Sequence, residues 1–192
     1  MKYEIHITVK IEDVQKFIFD CKSISLKPIL IDTQTDGDIH QMMTSDKYEG
    51  DSYQEQLSKS VNNLISLGYL IIRTKVEIMP DFINHLIHSD HIYYESHVRF
   101  RFPKNYDKIN FINYCEVAGW HPSKNLFKSD VDWDYQMATL RDKDRNLEIF
   151  KYLISQFVKH PMFEDLQIKT EIEECIHDTN VNIDDTWLKI NI

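Results

Sequence analysis

Four glycines and five prolines in 192 residues leave little of the loop chemistry on which phosphate-cradling motifs depend. Neither a P-loop nor a Rossmann glycine pattern is present, and no Cys-x-x-Cys pair occurs. The three cysteines, Cys21, Cys115 and Cys175, make no disulfide framework and read as buried structural thiols. Cations are also in short supply: 22 Lys and Arg against 31 Asp and Glu give a formal net charge of −9. Neutralising a run of phosphates needs a dense cationic footprint, so general nucleic-acid binding is excluded while a local basic pocket is not. No apolar run approaches the roughly 18 residues of a membrane span. Met1-Lys2-Tyr3-Glu4 leads directly into a strand pattern with no signal-peptide core. The expectation is a soluble, cytoplasmic protein with no membrane partner.

What the chain does contain is a repetition. Tyr3-Glu4-Ile5-His6-Ile7 returns ninety-one residues later as Tyr94-Glu95-Ser96-His97-Val98. Phe17-Ile18, Cys21 and Pro28 recur as Phe111-Ile112, Cys115 and Pro122 with the same internal gaps. Gln41-Met42-Met43-Thr44 returns as Gln136-Met137-Ala138-Thr139, and Lys75-Val76-Glu77 as Lys169-Thr170-Glu171. Two copies of one unit are expected to fold alike.

Residues 2 to 10 alternate, with Tyr3, Ile5, Ile7 and Val9 on one side and Glu4, His6, Thr8 and Lys10 on the other, which predicts a half-buried strand. Helical spacing follows from Ile11 to Ile24, then a short strand from Pro28 to Ile31, an Asp36-Gly37 hairpin turn and a strand from Ile39 to Ser45. Asp51 or Ser52 is placed to cap a second helix ended by Gly68, before a last strand from Tyr69 to Met79. The second copy predicts strands at 93–102, 125–128, 133–140 and 166–173, with helices at 106–118 and 146–158. Both read β-α-β-β-α-β, the order of the ferredoxin-like fold. The expected class is therefore α+β: a tandem duplication of a ferredoxin-like unit, two antiparallel sheets with helices on their outer faces. Its divisions are lobe 1 at 1–79, a connector at 80–91, lobe 2 at 92–174 and a tail at 175–192 that packs on a lobe.

In that topology the first and last strands of a unit are neighbours. Glu4, His6 and Thr8 then lie beside Arg73, Lys75 and Glu77, and Glu95, His97, Arg99 and Arg101 beside Gln167, Lys169 and Glu171. Alternating polar residues also arise on any solvated sheet face, where cross-strand ion pairs account for them. A histidine at the same place in both copies is what that reading leaves unexplained. The expected function is binding of a small anionic ligand in a cleft between two pseudo-symmetric lobes, with hydrolysis or transfer at a phosphoester as the chemistry. His6 and His97 would carry protons, and Glu4, Thr8, Arg73, Lys75, Glu95, Arg99 and Lys169 would bind the ligand.

The motif His6-Ile7-Thr8-Val9 resembles the His-x-Thr-x motif of the two-histidine phosphoesterases, which implies His6 and His97 as base and acid and Thr8 on phosphate; Arg99 stands at the threonine position of the second copy. The set His6, Glu77, His97 and Glu171 resembles the metal quartet of the vicinal oxygen chelate enzymes, which implies a divalent-metal-dependent enzyme as an alternative. His85, His88 and His91 form His-x-x-His-x-x-His, a second place for a transition metal with Asp90. The remaining alternative is a non-catalytic interaction scaffold with a protein partner. For it speak the aromatics Tyr48, Tyr53, Trp120, Trp133 and Trp187 and the acidic run from Asp130 to Asp134.

Overall fold

A computed structural model describes residues 1–33, 40–78, 90–128, 130–143 and 146–181. The first half of the chain forms β1 (Lys2–Lys10), α1 (Val14–Ser23), β2 (Pro28–Asp32), β3 (His40–Glu49), α2 (Gln54–Ser66) and β4 (Leu70–Ile78). The second half forms β5 (Tyr93–Pro103), α3 (Lys108–Val117), β6 (His121–Asn125), β7 (Trp133–Asp142), α4 (Leu147–Val158), a 3-10 turn at Pro161–Phe163, and β8 (Gln167–Asp178). The Asp36-Gly37 hairpin, His85 and His88 of the connector, and Ile183, Trp187 and Leu188 of the tail lie outside the described residues. Among the described residues no helix is long and apolar enough to cross a membrane.

Strand pairing corrects the expected tandem of two ferredoxin-like sheets. The eight strands form one closed antiparallel barrel in the order β1-β3-β2-β6-β7-β5-β8-β4, with four α-helices among the described residues. Edges that two sheets would have left open are paired. β2 meets β6 through Ile31 with Asn125 and Asp32 with Lys124, and β4 meets β8 from Lys75 with Asp178 to Ile78 with Glu174. The physical reason lies in strand length. Alternation predicts a last strand ending at Glu173, whereas β8 runs on to Asp178, and its added residues are the ones that pair with β4. Alternation reports which way side chains face and carries no record of an edge partner, while unpaired edge N–H and C=O groups favour closure.

The chain divides into two compact units. Unit 1 comprises Met1–Leu30, Gln41–Ile92 and Glu174–Ile183; unit 2 comprises Ile31–His40, Tyr93–Glu173 and Asp184–Ile192. In unit 1, Tyr3, Ile5, Ile7 and Val9 of β1 pack with Met42, Val76 and Ile78 of the sheet and with Phe17, Cys21 and Leu64 of α1 and α2. Burying each such side chain contributes roughly 1.5–3 kcal/mol. Asp13 caps α1 by accepting from the Lys16 amide at 3.0 Å. At α2 the cap is Tyr53, without a side-chain hydrogen bond, and Ser52 donates to Gln54 instead. Gly68 ends α2 with φ +90, a left-handed conformation that a Cβ would strain. Burial pushes the Cys21 thiol up to about 12, as suits a structural cysteine.

Unit 2 has an aromatic core. Phe100 of β5 lies 4.4 Å from Phe163 and 5.2 Å from Phe111, centroid to centroid, and Trp120 stacks on Phe157 at 4.0 Å. Trp120 is therefore buried rather than offered to a partner. The Cys115 thiol, raised by burial, faces the same core. Asp134, from the acidic run, is also buried, accepting from Lys108 and Lys124 at 2.6 Å each and from Gln136 at 2.7 Å. Burial pushes its carboxyl up, but those donors more than offset that and bring it down to about 2. Phe100→Ala should lower the unfolding free energy by roughly 3–5 kcal/mol, read from urea midpoints. A loss under about 1 kcal/mol would mean that the aromatic cluster does not hold unit 2 together.

Candidate functional site

Each Glu-x-His motif faces away from its helices, yet that face is buried. In unit 1, β1 sets Glu4, His6 and Thr8 opposite Lys47, Ser45 and Met43 of β3, and opposite Glu77, Lys75 and Arg73 of β4. His6 Nε2 lies 3.0 Å from Glu77 and 3.7 Å from Glu4. The other Glu77 oxygen accepts from Lys75 at 2.9 Å. Glu4 accepts from the Ser45 hydroxyl at 2.5 Å and pairs with Lys47 at 3.3 Å. Arg73, buried next to Thr8, donates through Nε and Nη2 to both oxygens of Asp178, at 2.8 and 2.5 Å. Unit 1 thus answers Lys47, Arg73 and Lys75 with Glu4, Asp178 and Glu77.

Burial pushes the Glu4 carboxyl up, but the His6 imidazole, the Ser45 hydroxyl and the Lys47 ammonium together bring it down to about 2. Among the described residues, two further histidines lie in unit 1. His91 contacts Glu174 at 3.0 Å, and His177 contacts the Thr74 hydroxyl at 2.9 Å, its pKa lowered by burial.

In unit 2, His97 of β5 faces Thr139 of β7. Its Nδ1 lies 3.0 Å from the Thr139 hydroxyl, and its Nε2 lies 2.8 Å from Glu95 and 3.6 Å from Glu173. With Nε2–H donating to Glu95, a neutral ring accepts the Thr139 O–H at Nδ1, so both nitrogens are oriented. Glu95 is fully buried and also held by the Arg141 guanidinium. Two residues along β5, the arrangement changes. Arg99 and Lys169 share a single carboxylate, Glu171, at 2.6 and 2.7 Å. Their side chains are 40% and 67% exposed. Next comes Arg101, which donates to the neutral Gln167 at 2.9 Å.

The expected site residues fall on both units. His6, Glu4, Glu77 and Lys75 form one connected set, and Arg73 is committed to Asp178. In unit 2, His97 meets Glu95 and Glu173, while Glu171, the carboxylate expected beside it, serves Arg99 and Lys169. Glu173 lies on the same predicted polar face as Glu171, and only the pairing register chooses between them. Ser45, Thr139, Arg141 and Asp178 carried no functional signal in the sequence reading, although Thr139 falls inside the repeated Gln-Met-x-Thr segment. Imidazole and carboxylate donors suited to a divalent cation are His6, Glu4 and Glu77 in unit 1, and His97, Glu95 and Glu173 in unit 2. Among the described residues, no three such donor atoms belonging to one unit lie within 4.8 Å of one another.

Two outcomes follow for unit 1. Arg73→Met leaves Asp178 buried without its cation and should cost roughly 3–5 kcal/mol in urea unfolding, whereas Arg73→Met with Asp178→Leu should recover most of it. Glu4 has a folded pKa below its ordinary 4.5, so its contribution is present above about 4.5 and is lost as pH falls toward about 2. Glu4→Gln should therefore flatten the dependence of the urea midpoint on pH across that window; an unchanged slope would show that Glu4 adds nothing there.

No family model matches the chain, and no curated protein matches it. Among solved structures, the chain is similar to an unknown protein from Galdieria sulphuraria, at 11% identity over 90% of this chain and 97% of that one, with a TM-score of 0.28. It is also similar to a mutant chlorite dismutase from Candidatus Nitrospira defluvii, at 10% identity over 92% of this chain and 91% of that one, with a TM-score of 0.29. Likenesses at such scores carry no information about the chemistry of this chain.

Proposed function

We propose that unit 2 binds a small phosphate-bearing anion on the strip formed by Arg99, Arg101 and Lys169, and that His97 exchanges a proton with it in hydrolysis or transfer at a phosphoester. The observation that carries this reading is the sharing of Glu171 by two exposed cations, Arg99 and Lys169. One carboxylate leaves a positive charge over, and Arg101 lies farther along the strip, hydrogen-bonded to Gln167 and paired with Asp130. In a chain of net charge −9 such a surplus is a local exception, and a guanidinium beside an ammonium suits a phosphate well.

His97 follows two residues inward on the same face of β5, about 6–7 Å along the strand. An ester oxygen of a phosphate held at Arg99 comes within reach of an imidazole there. Glu95 holds the ring through Nε2, so the nitrogen that exchanges the proton is Nδ1, from which the rotatable Thr139 hydroxyl gives way to the ligand. The corresponding face of unit 1 supports a different role. Its Arg73 and Lys75 are buried against Asp178 and Glu77, so Glu4, Thr8 and His6 belong to an internal network that braces the sheet.

Calorimetric titration with inorganic phosphate and pyrophosphate tests the reading. Arg99→Gln and Lys169→Gln should each weaken binding roughly tenfold or more, with binding also falling as salt rises. His97→Gln should retain binding and lose turnover of a phosphodiester substrate. Equal affinity in the wild type and an Arg99→Gln/Lys169→Gln double variant would overturn the proposal and leave the interaction scaffold in its place.

A further inference from the structure

The face of β5 that carries His97, Arg99 and Arg101 continues onto β7, where Tyr135 pairs with Arg101 and Trp133 with Pro103. Alternation puts Trp133, Tyr135, Met137 and Thr139 on that same side. The Arg101 guanidinium lies over the Trp133 ring, 4.2 Å from its centroid. Its Nη1 donates to Gln167 at 2.9 Å, and its Nη2 lies 3.9 Å from Asp130. Its Nε is buried with no acceptor among the described residues, so the cation is compensated on its Nη side only. Its side chain is nevertheless 32% exposed. A part-exposed guanidinium backed by an indole and tethered at both Nη atoms is a group on which a heterocyclic base can stack.

We infer that the phosphate-bearing ligand is of the mononucleotide class, with its heterocycle stacked on the Arg101–Trp133 platform and its phosphate on the exposed sides of Arg99 and Lys169, away from Glu171. This rests on the phosphate reading of the same strip and adds what the rest of the molecule must be. The spacing suits it: Arg99 and Arg101 are two residues apart on one strand, about 6–7 Å, comparable to the span from a nucleotide's phosphate to its base. Stacking tolerates any base, since each has a π-face, so the platform selects for a base over none rather than for one base over another.

The test compares ribose 5-phosphate with AMP and UMP on the full chain, by calorimetry and by quenching of tryptophan fluorescence. AMP and UMP should each bind roughly tenfold or more tightly than ribose 5-phosphate. Arg101→Lys keeps the charge and removes the plane, so it should erase that advantage. Trp133→Leu, checked for an unchanged thermal midpoint, should do the same, and Trp133→Phe should restore part of the advantage. Equal affinity for ribose 5-phosphate and AMP, or an advantage that survives Arg101→Lys, would overturn the inference while leaving phosphate binding standing. If neither ligand binds, or if the Arg99→Gln/Lys169→Gln double variant binds both as the wild type does, the phosphate reading itself falls.

Discussion

A charge buried on one face of a sheet must be answered by a neighbour on that same face, and this requirement organises both units. Strand alternation sends Tyr3, Ile5, Ile7 and Val9 to the helices and leaves Glu4, His6 and Thr8 on the other side, where they too are largely hidden from water. An ion taken out of water without a partner costs several kcal/mol. The sheet meets that cost residue by residue: Lys47 and Ser45 for Glu4, Lys75 for Glu77, Asp178 for Arg73, Arg141 for Glu95. Such pairing also locks the register. A slip of one residue would turn the ionic row into the apolar layer and the apolar row out of it.

Where the two units differ is in how completely the matching is carried through. Unit 1 pairs Arg73 with Asp178 and Lys75 with Glu77 in its interior, and sets part-exposed Lys47 against buried Glu4. Unit 2 matches charge in this way only around His97, and at its exposed end Glu171 stands against both Arg99 and Lys169. A sheet that needed only stability would place a second acid there. The surplus of positive charge is the feature that separates a potential ligand strip from a structural brace, and it comes from these particular side chains, not from the fold.

Much of the local structure was legible in the sequence, because it depends on short-range physics. The alternation of β1, the stop at Gly68 and the buried thiols of Cys21 and Cys115 follow from period, backbone conformation and polarity. So did the meeting of each Glu-x-His motif with a carboxylate from a later strand. What stayed hidden depends on position along a strand and on distant edges. Period two assigns Glu171 and Glu173 to one face but cannot say which stands by His97. Trp120 reads as a surface aromatic until the left-handed turn at Gly119 carries it into the Phe157 stack. Barrel closure was missed for the same reason, since edge pairing has no signature in alternation.

The length of β8 has a consequence for how the repeat can be divided. Its first seven residues, through Glu173, belong to unit 2, and the next five, Glu174 to Asp178, belong to unit 1. Glu174 meets His91 there, and Asp178 meets Arg73. A chain cut at the sequence repeat would therefore strand a buried guanidinium in the first fragment and carry off its counter-ion in the second. The repeated motifs are therefore not a line along which the structure divides: β8 begins in unit 2 and ends by supplying unit 1 with the counter-ion of a buried arginine.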